Sequence, residues 1–274
     1  MQETFRSGLR ILVGAGCFVD AAAALRIVAR LPDGSLAGLG GVLVEESDML
    51  ATCQIPRQRV VSASGVTATA PSLAQVRALL KADAKAFQQS LARTADPTGA
   101  GWVFAQDSGE LVGTALRAAK DWDVLVIGHR KVHRIPGKIV SLESPHTLPD
   151  AVSEVSDRLA KRLSADRIVF SVEPAGGEMT APQSSDRFRF ETLDRAIEAL
   201  ARMNAQAVLL DLARGPVRTP ADLARLLEAA RCPLVVFGAS GMNAMLEHST
   251  HIPSAPDRNG RNDGSSERGS GSRS

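Results

Sequence analysis

The chain has 274 residues, 44 % of them apolar and 4 % aromatic, with no Tyr. That length suits one large α/β domain or two small ones, with a core of Ala, Val, Leu and Ile. Its 32 basic and 30 acidic residues leave a net charge of +2, which excludes the strongly one-signed surface that nucleic acid or an anionic membrane calls for.

Short apolar runs alternate with helical patterns along the chain. Leu9–Val13 reads as a strand and Val19–Leu31 as a helix ended by Pro32–Gly34. Leu36–Val44 reads as a second strand, weakened by Gly38, Gly40 and Gly41. Glu45–Ala70 is long and irregular. Ser72–Arg93 is the clearest helix, with Leu73, Val76, Leu79, Leu80, Ala84, Phe87 and Leu91 on one face. Trp102–Ala105 is a strand, Ser108–Ala119 a helix with Ser108 as its cap, and Val124–Ile127 the next strand. Lys138–Leu142 reads as a strand, Leu148–Leu163 as a helix and Ile168–Val172 as a strand. After a Gly/Pro/Ser-rich loop at Pro174–Ser185 come a helix at Phe190–Met203 and a strand at Ala207–Leu212. A helix at Pro220–Ala230 and a strand at Leu234–Phe237 follow. Strands separated by helices predict βαβ units and a parallel sheet. The wholly apolar runs VLVI, VLL and LVVF suit strands covered on both faces. Pro253–Ser274 is Ser, Gly, Arg, Asn and Asp with almost nothing to bury, and reads as a disordered tail.

Cys17, Cys53 and Cys232 lie far apart with no CxxC or Cys/His spacing, so neither a disulfide framework nor a zinc site is expected. The first residues, MQETFRSGLR, lack the apolar core of a secretory leader. No run approaches the roughly 20 apolar residues of a membrane helix. The expected setting is the reducing cytoplasm.

The densest local charge follows a buried strand pattern. Asp123–Gly137, DVLVIGHRKVHRIPG, runs from Val124–Ile127 into Gly128 and then Arg130, Lys131 and Arg134. Open parallel sheets bind ligands beyond the carboxyl ends of their strands. Gly14-Ala15-Gly16 lies at another such end, between a strand and a helix, where free N–H groups favour anions. Gly14, Gly16, Gly128, Arg130, Lys131 and Arg134 are therefore the candidate nucleotide or anion site. His129 and His133 lack a carboxylate or Cys partner and read as loop histidines, so no metal is expected. No paired carboxylates and no Ser/His/Asp set stand out, so no enzyme is expected.

Several of these stretches carry a family resemblance. ILVGAGCFVDAAAAL at Ile11–Leu25, followed by GVLVEE, resembles the first strand, helix and second strand of a universal stress protein. Ala100–Arg130 resembles that family's third strand, third helix and fourth strand, with DWDVLVIG at Asp121–Gly128 close to the family's DLIVMG. NAQAVLLDLARG at Asn204–Gly215 resembles the fourth strand again, and RCPLVVFGAS at Arg231–Ser240 the last. The resemblance spans residues 8–240 as two tandem units. It implies α/β units of the flavodoxin-like, adenine nucleotide alpha hydrolase-like kind, each a parallel five-stranded sheet flanked by helices. The first is expected at 8–137 and a shortened second at 138–240, because nothing between Ala175 and Arg189 reads as a third strand.

The resemblance also bears on function. Nucleotide-binding members carry an acid at the end of the first strand, where this chain has Gly16, with Asp20 about one helical turn further on. They also carry Gly-x2-Gly-x9-Gly-Ser/Thr after the fourth strand, whose glycines let backbone N–H groups approach phosphates. Starting at Gly128, Lys131 replaces the second glycine and Ser141 the third; in the second unit Arg218 stands at the second position after Gly215. The expectation is a non-enzymatic universal-stress-type protein with a regulatory or partner-binding role and no cofactor. It would act through a protein partner or self-association, without nucleic acid or membrane. One alternative is an adenine-nucleotide (ATP) sensor whose modified loop, Gly128–Lys138, holds phosphate through side chains. Another is an NAD(P)-dependent oxidoreductase, since Gly14 and Gly16 begin a GxGxxG whose third position is Val19.

Overall fold

The computed structural model describes residues 8–31, 36–46, 51, 55, 59–61, 65, 67–130, 136–144, 151–173 and 186–240. The chain begins with strand β1 (Leu9–Ala15), helix α1 (Phe18–Val28) and strand β2 (Leu36–Glu45). A small hairpin, β3 (Arg59–Val61) and β4 (Thr67–Thr69), forms inside the stretch expected to be irregular. Then come α2 (Leu73–Ala95), β5 (Gly101–Ser108), α3 (Leu111–Ala118) and β6 (Val124–Ile127). The second half is β7 (Lys138–Glu143), α4 (Ala151–Leu163), β8 (Arg167–Val172), β9 (Arg187–Phe190), α5 (Leu193–Ala201), β10 (Ala205–Asp211), α6 (Pro220–Ala230) and β11 (Leu234–Phe237).

The α/β class with a parallel sheet flanked by helices holds. The two expected sheets, however, are joined edge to edge into one nine-stranded sheet in the order β5-β2-β1-β6-β11-β10-β7-β8-β9. Within each half the neighbours are parallel. The join is the antiparallel pair β6–β11, in which Leu234 faces Ile127 and Phe237 faces Val124. Taken in chain order without the hairpin, the first half reads 3-2-1-4 and the second 3-2-1-4-5. The fifth strand of the second half thus closes the open edge of the first. Because the join is antiparallel, the carboxyl ends of the two sets of strands face opposite ends of the molecule.

Two core layers run through both halves. On one face α1, α2 and α4 pack over residues such as Ile11, Leu43, Val126, Ile139 and Leu209. On the other, α3, α5 and α6 pack over Leu12, Val44, Ile127, Val140 and Leu210. Alternate residues of each strand supply the two layers, as the pleat requires. The glycines of β2 admit close packing instead of weakening the strand. A Cβ on Gly40 would stand 2.6 Å from the Trp122 ring, and one on Gly41 would stand 2.5 Å from Leu91 Cδ1.

Local chemistry moves several expected boundaries. Ser72 does cap α2: its Oγ accepts from the Gln75 N–H, and Gln75 Oε1 accepts from the Ser72 N–H. α3 is capped by Glu110, not Ser108; the Glu110 carboxylate accepts from the N–H groups of Val112 and Gly113 at 3.0 and 2.7 Å. Ser108 instead ends β5, paired with Glu45. Leu79 was expected on the inward face of α2 but is 63 % exposed; Val76 and Leu80 on either side of it are buried, so it lies on the flank of the helix, off the buried stripe.

The second half is not short by a strand. A third strand does exist there, β9, at residues expected to be loop and helix start. Thr192 provides the helix cap after it, its Oγ1 accepting from the Arg195 N–H, so α5 starts at Leu193. The first half places α2 between β2 and β5, where Phe87 and Leu91 cover the sheet. Between β8 and β9 no helix occurs among the described residues, and the same sheet face is charged. Arg167 reaches Glu143 at 2.8 Å and Asp157 at 2.9 Å, Arg187 reaches Glu143 at 3.3 Å, and Arg189 lies 3.7 Å from Glu173. The opposite face of these strands is apolar, with Phe170 packed on Phe188 and Phe190. The expected tail, 253–274, lies outside the described residues.

Candidate functional site

Strand order reverses direction from β1, with β2 on one side and β6 on the other. This switch point is where open α/β sheets place ligands. It brings together Gly14 and Gly16 from the end of β1 with Gly128 and Arg130 after β6. Lys131 and Arg134 lie outside the described residues.

The two loops meet directly. The Gly128 N–H donates to the Gly14 carbonyl at 2.7 Å. Gly128 is buried against the first turn of α1, and a Cβ there would stand 2.5 Å from the Asp20 carbonyl oxygen and 2.7 Å from its carbon. The glycine thus serves the contact between loop and helix. Gly14 serves packing as well: its Cβ would lie 2.8 Å from the Ala115 Cβ of α3, which suits neither a phosphate approach nor the dinucleotide fingerprint.

Two of the donors that an anion would use are met by carboxylates of the chain itself. Asp83, on α2, accepts from the Phe18 N–H at the start of α1 at 3.0 Å. Asp20 accepts from the Arg130 N–H through Oδ1 at 2.6 Å and from the Cys17 thiol through Oδ2 at 3.2 Å. A Cβ on Gly16 would stand 3.9 Å from Glu46 Oε1. Negative side chains therefore occupy the positive end of the α1 dipole, where they stabilise the helix and repel a phosphate. Cys17 stands at the N-cap without capping the helix. Its thiol is pushed up from its ordinary value by burial, with the neighbouring Asp20 carboxylate adding to the rise. It is a thiol and not an activated thiolate.

The corresponding point of the second half lies between the ends of β7 and β10. There Asp211 folds its own loop shut: its Oδ1 accepts from the Ala213 N–H at 2.7 Å, and its carbonyl accepts from the Gly215 N–H at 2.6 Å. Leu142, Glu143, Ser144, Val152, Asp211, Arg214 and Gly215 line a space of about 10 Å³, room for one water. Asp83 escaped the sequence reading because it acts on a backbone group, the Phe18 N–H, brought near by the fold. No cluster of three metal-ligating side chains occurs among the described residues, and no described helix is long and apolar enough to cross a membrane.

The contact at Gly128 yields a direct expectation. Gly128→Ala should lower stability toward the upper end of about 1–3 kcal/mol, because the neighbour it strikes is helix backbone and cannot rotate away. A urea unfolding curve with an unchanged slope and a lower midpoint would record it.

No family model matches the sequence, and no curated protein matches it. Solved structures do. A universal stress protein from Archaeoglobus fulgidus DSM 4304 is 8 % identical, with a TM-score of 0.46 over 85 % of this chain and 98 % of that one. The functionally unknown protein PA1789 from Pseudomonas aeruginosa PAO1 is 12 % identical, with a TM-score of 0.44 over 89 % of this chain and 97 % of that one.

Proposed function

We propose that this chain is a non-enzymatic universal-stress-type protein of the cytoplasm, with a regulatory or partner-binding role and with both nucleotide crevices closed by its own carboxylates. The observation that carries the reading is the pair of bonds from Phe18 N–H to Asp83 and from Arg130 N–H to Asp20. A nucleotide phosphate entering here would displace two internal carboxylates and then sit beside them, at a Coulombic cost that grows as water is excluded. Gly128 supports the same reading, since its missing side chain is used against α1. On this reading, what the protein offers another molecule is its surface.

Equilibrium dialysis of the purified protein against radiolabelled ATP, with and without Mg²⁺, tests this. The expected result is no saturable binding. Tight, Mg²⁺-dependent binding that disappears in the Arg130→Ala, Lys131→Ala double variant would overturn the reading and establish the adenine-nucleotide sensor in its place.

A further inference from the structure

The sheet ends in two edges, β9 and β5, and they are built differently. β9 has four residues, RFRF, two of them arginines. A short, charged edge discourages a further strand. β5 has eight residues, GWVFAQDS, and all but Phe104 are exposed. It pairs with β2 from Gly38–Gly101 to Glu45–Ser108 without a bulge. It contains no proline and one charge, Asp107. Trp102 and Val103 are 42 % and 58 % exposed. Lysine, proline and bulges, three of the devices that protect natural edges, are absent from it.

We propose that β5 pairs antiparallel with β5 of a second copy of this chain about a two-fold axis, continuing the sheet across a homodimer. Charge and symmetry select this occupant. With the axis between Phe104 and Ala105, Gly101 faces Ser108, Trp102 faces Asp107 and Val103 faces Gln106. The single carboxylate of each strand then lies opposite a Trp and never opposite its own copy, so no like charges meet. A contact of β5 with itself is isologous and closes at two subunits, whereas β5 on β9 would run on as a filament and leave half of β5 unpaired. The other edge of the first half-sheet, β6, is already taken inside the chain by β11. Size sets the strength. A ladder of this length is about 27 Å long, and with a depth of about 10 Å it buries on the order of 500 Å² in total, below the roughly 1,200 Å² of stable complexes. The dimer is accordingly weak and concentration-dependent. This inference does not rest on the closed crevices, and the ATP measurement has no bearing on it.

Sedimentation velocity of the full chain over about a hundred-fold range of concentration, combined with hydrogen exchange at both ends of the range, tests it. The expected result is a shift from monomer to dimer. With it, the outward-pointing amides of residues 101–108 should exchange more slowly at high concentration. The Val103→Lys, Ala105→Lys variant changes two exposed positions. It should keep the wild-type circular dichroism and remain monomeric throughout, as lysines do on protected edges. A monomer at every concentration would overturn the proposal. So would a species larger than a dimer, a dimer with unchanged exchange at 101–108, or a dimer that survives in a folded lysine variant.

Discussion

Replacing Glu143 by Ala is expected to destabilise the protein by about 3 kcal/mol, the lower end of the range for breaking a buried ion pair by removing one partner. Glu143 is 14 % exposed, and its carboxylate accepts from Arg167 at 2.8 Å, Arg187 at 3.3 Å and the Ser141 hydroxyl at 3.0 Å. Arg167 is 18 % exposed and would keep Asp157 and Ser153 as partners. Its guanidinium would nonetheless lose its most buried counter-charge. The size of the loss comes from the charge left behind and not from the bond removed. The double variant Glu143→Leu, Arg167→Met should therefore recover most of the stability, since matched apolar residues often replace a buried pair at little cost. Urea midpoints of the single and double variants measure both statements. A single variant within about 0.5 kcal/mol of wild type would mean that water reaches this part of the sheet face freely.

The second large effect lies on the matching face of the other half. Phe87→Ala should cost about 3–5 kcal/mol, the usual loss for truncating a fully buried aromatic. Phe87 is wholly buried, stands edge-on to Phe104 with centroids 5.5 Å apart, and covers the bare backbone of Gly41. Nothing nearby is shaped to refill the space, because the glycine beneath has no side chain to extend. A thermal melt falling by several degrees, with the native circular dichroism kept below the transition, is the expected record. The two predictions form a contrast. One half covers its outer strands with an aromatic-bearing helix, and the other carries paired charges on the same face.

Much of this architecture was legible in the residues. Apolar runs such as VLVI and LVVF announced strands covered on both faces, and Pro71-Ser72 announced the start of the long helix. β9 was hidden by length and position. RFRF alternates with the period of a strand, but it is only four residues long and its last residue, Phe190, reads as the start of the helix that follows. The Glu110 cap went unread because Ser108, two residues before it, is the commoner type of capping residue. Leu79 lies between the buried Val76 and Leu80 in sequence, yet it falls beside the apolar stripe that they define and stays exposed. The candidate site was half legible. Sequence spacing brought Gly14, Gly16, Gly128 and Arg130 to one switch point, where the fold has them. That Asp83 would reach Phe18 from 65 residues away has no local signal, since it depends on how α2 lies across α1. The pairing of β6 with β11 likewise joins two strands whose sequences state burial and not partner.

That pairing has a consequence for how the protein is made. β6 is complete at Ile127, but the strand that shields its far side does not begin until Leu234. At ordinary ribosomal speeds the interval is roughly 5–20 s. Throughout it the nascent first half carries VLVI as an open, wholly apolar border, the kind of surface on which growing chains stick to one another. The last described strand is thus also the lock, and folding of the amino-terminal half cannot finish before translation of the carboxyl-terminal half has nearly ended.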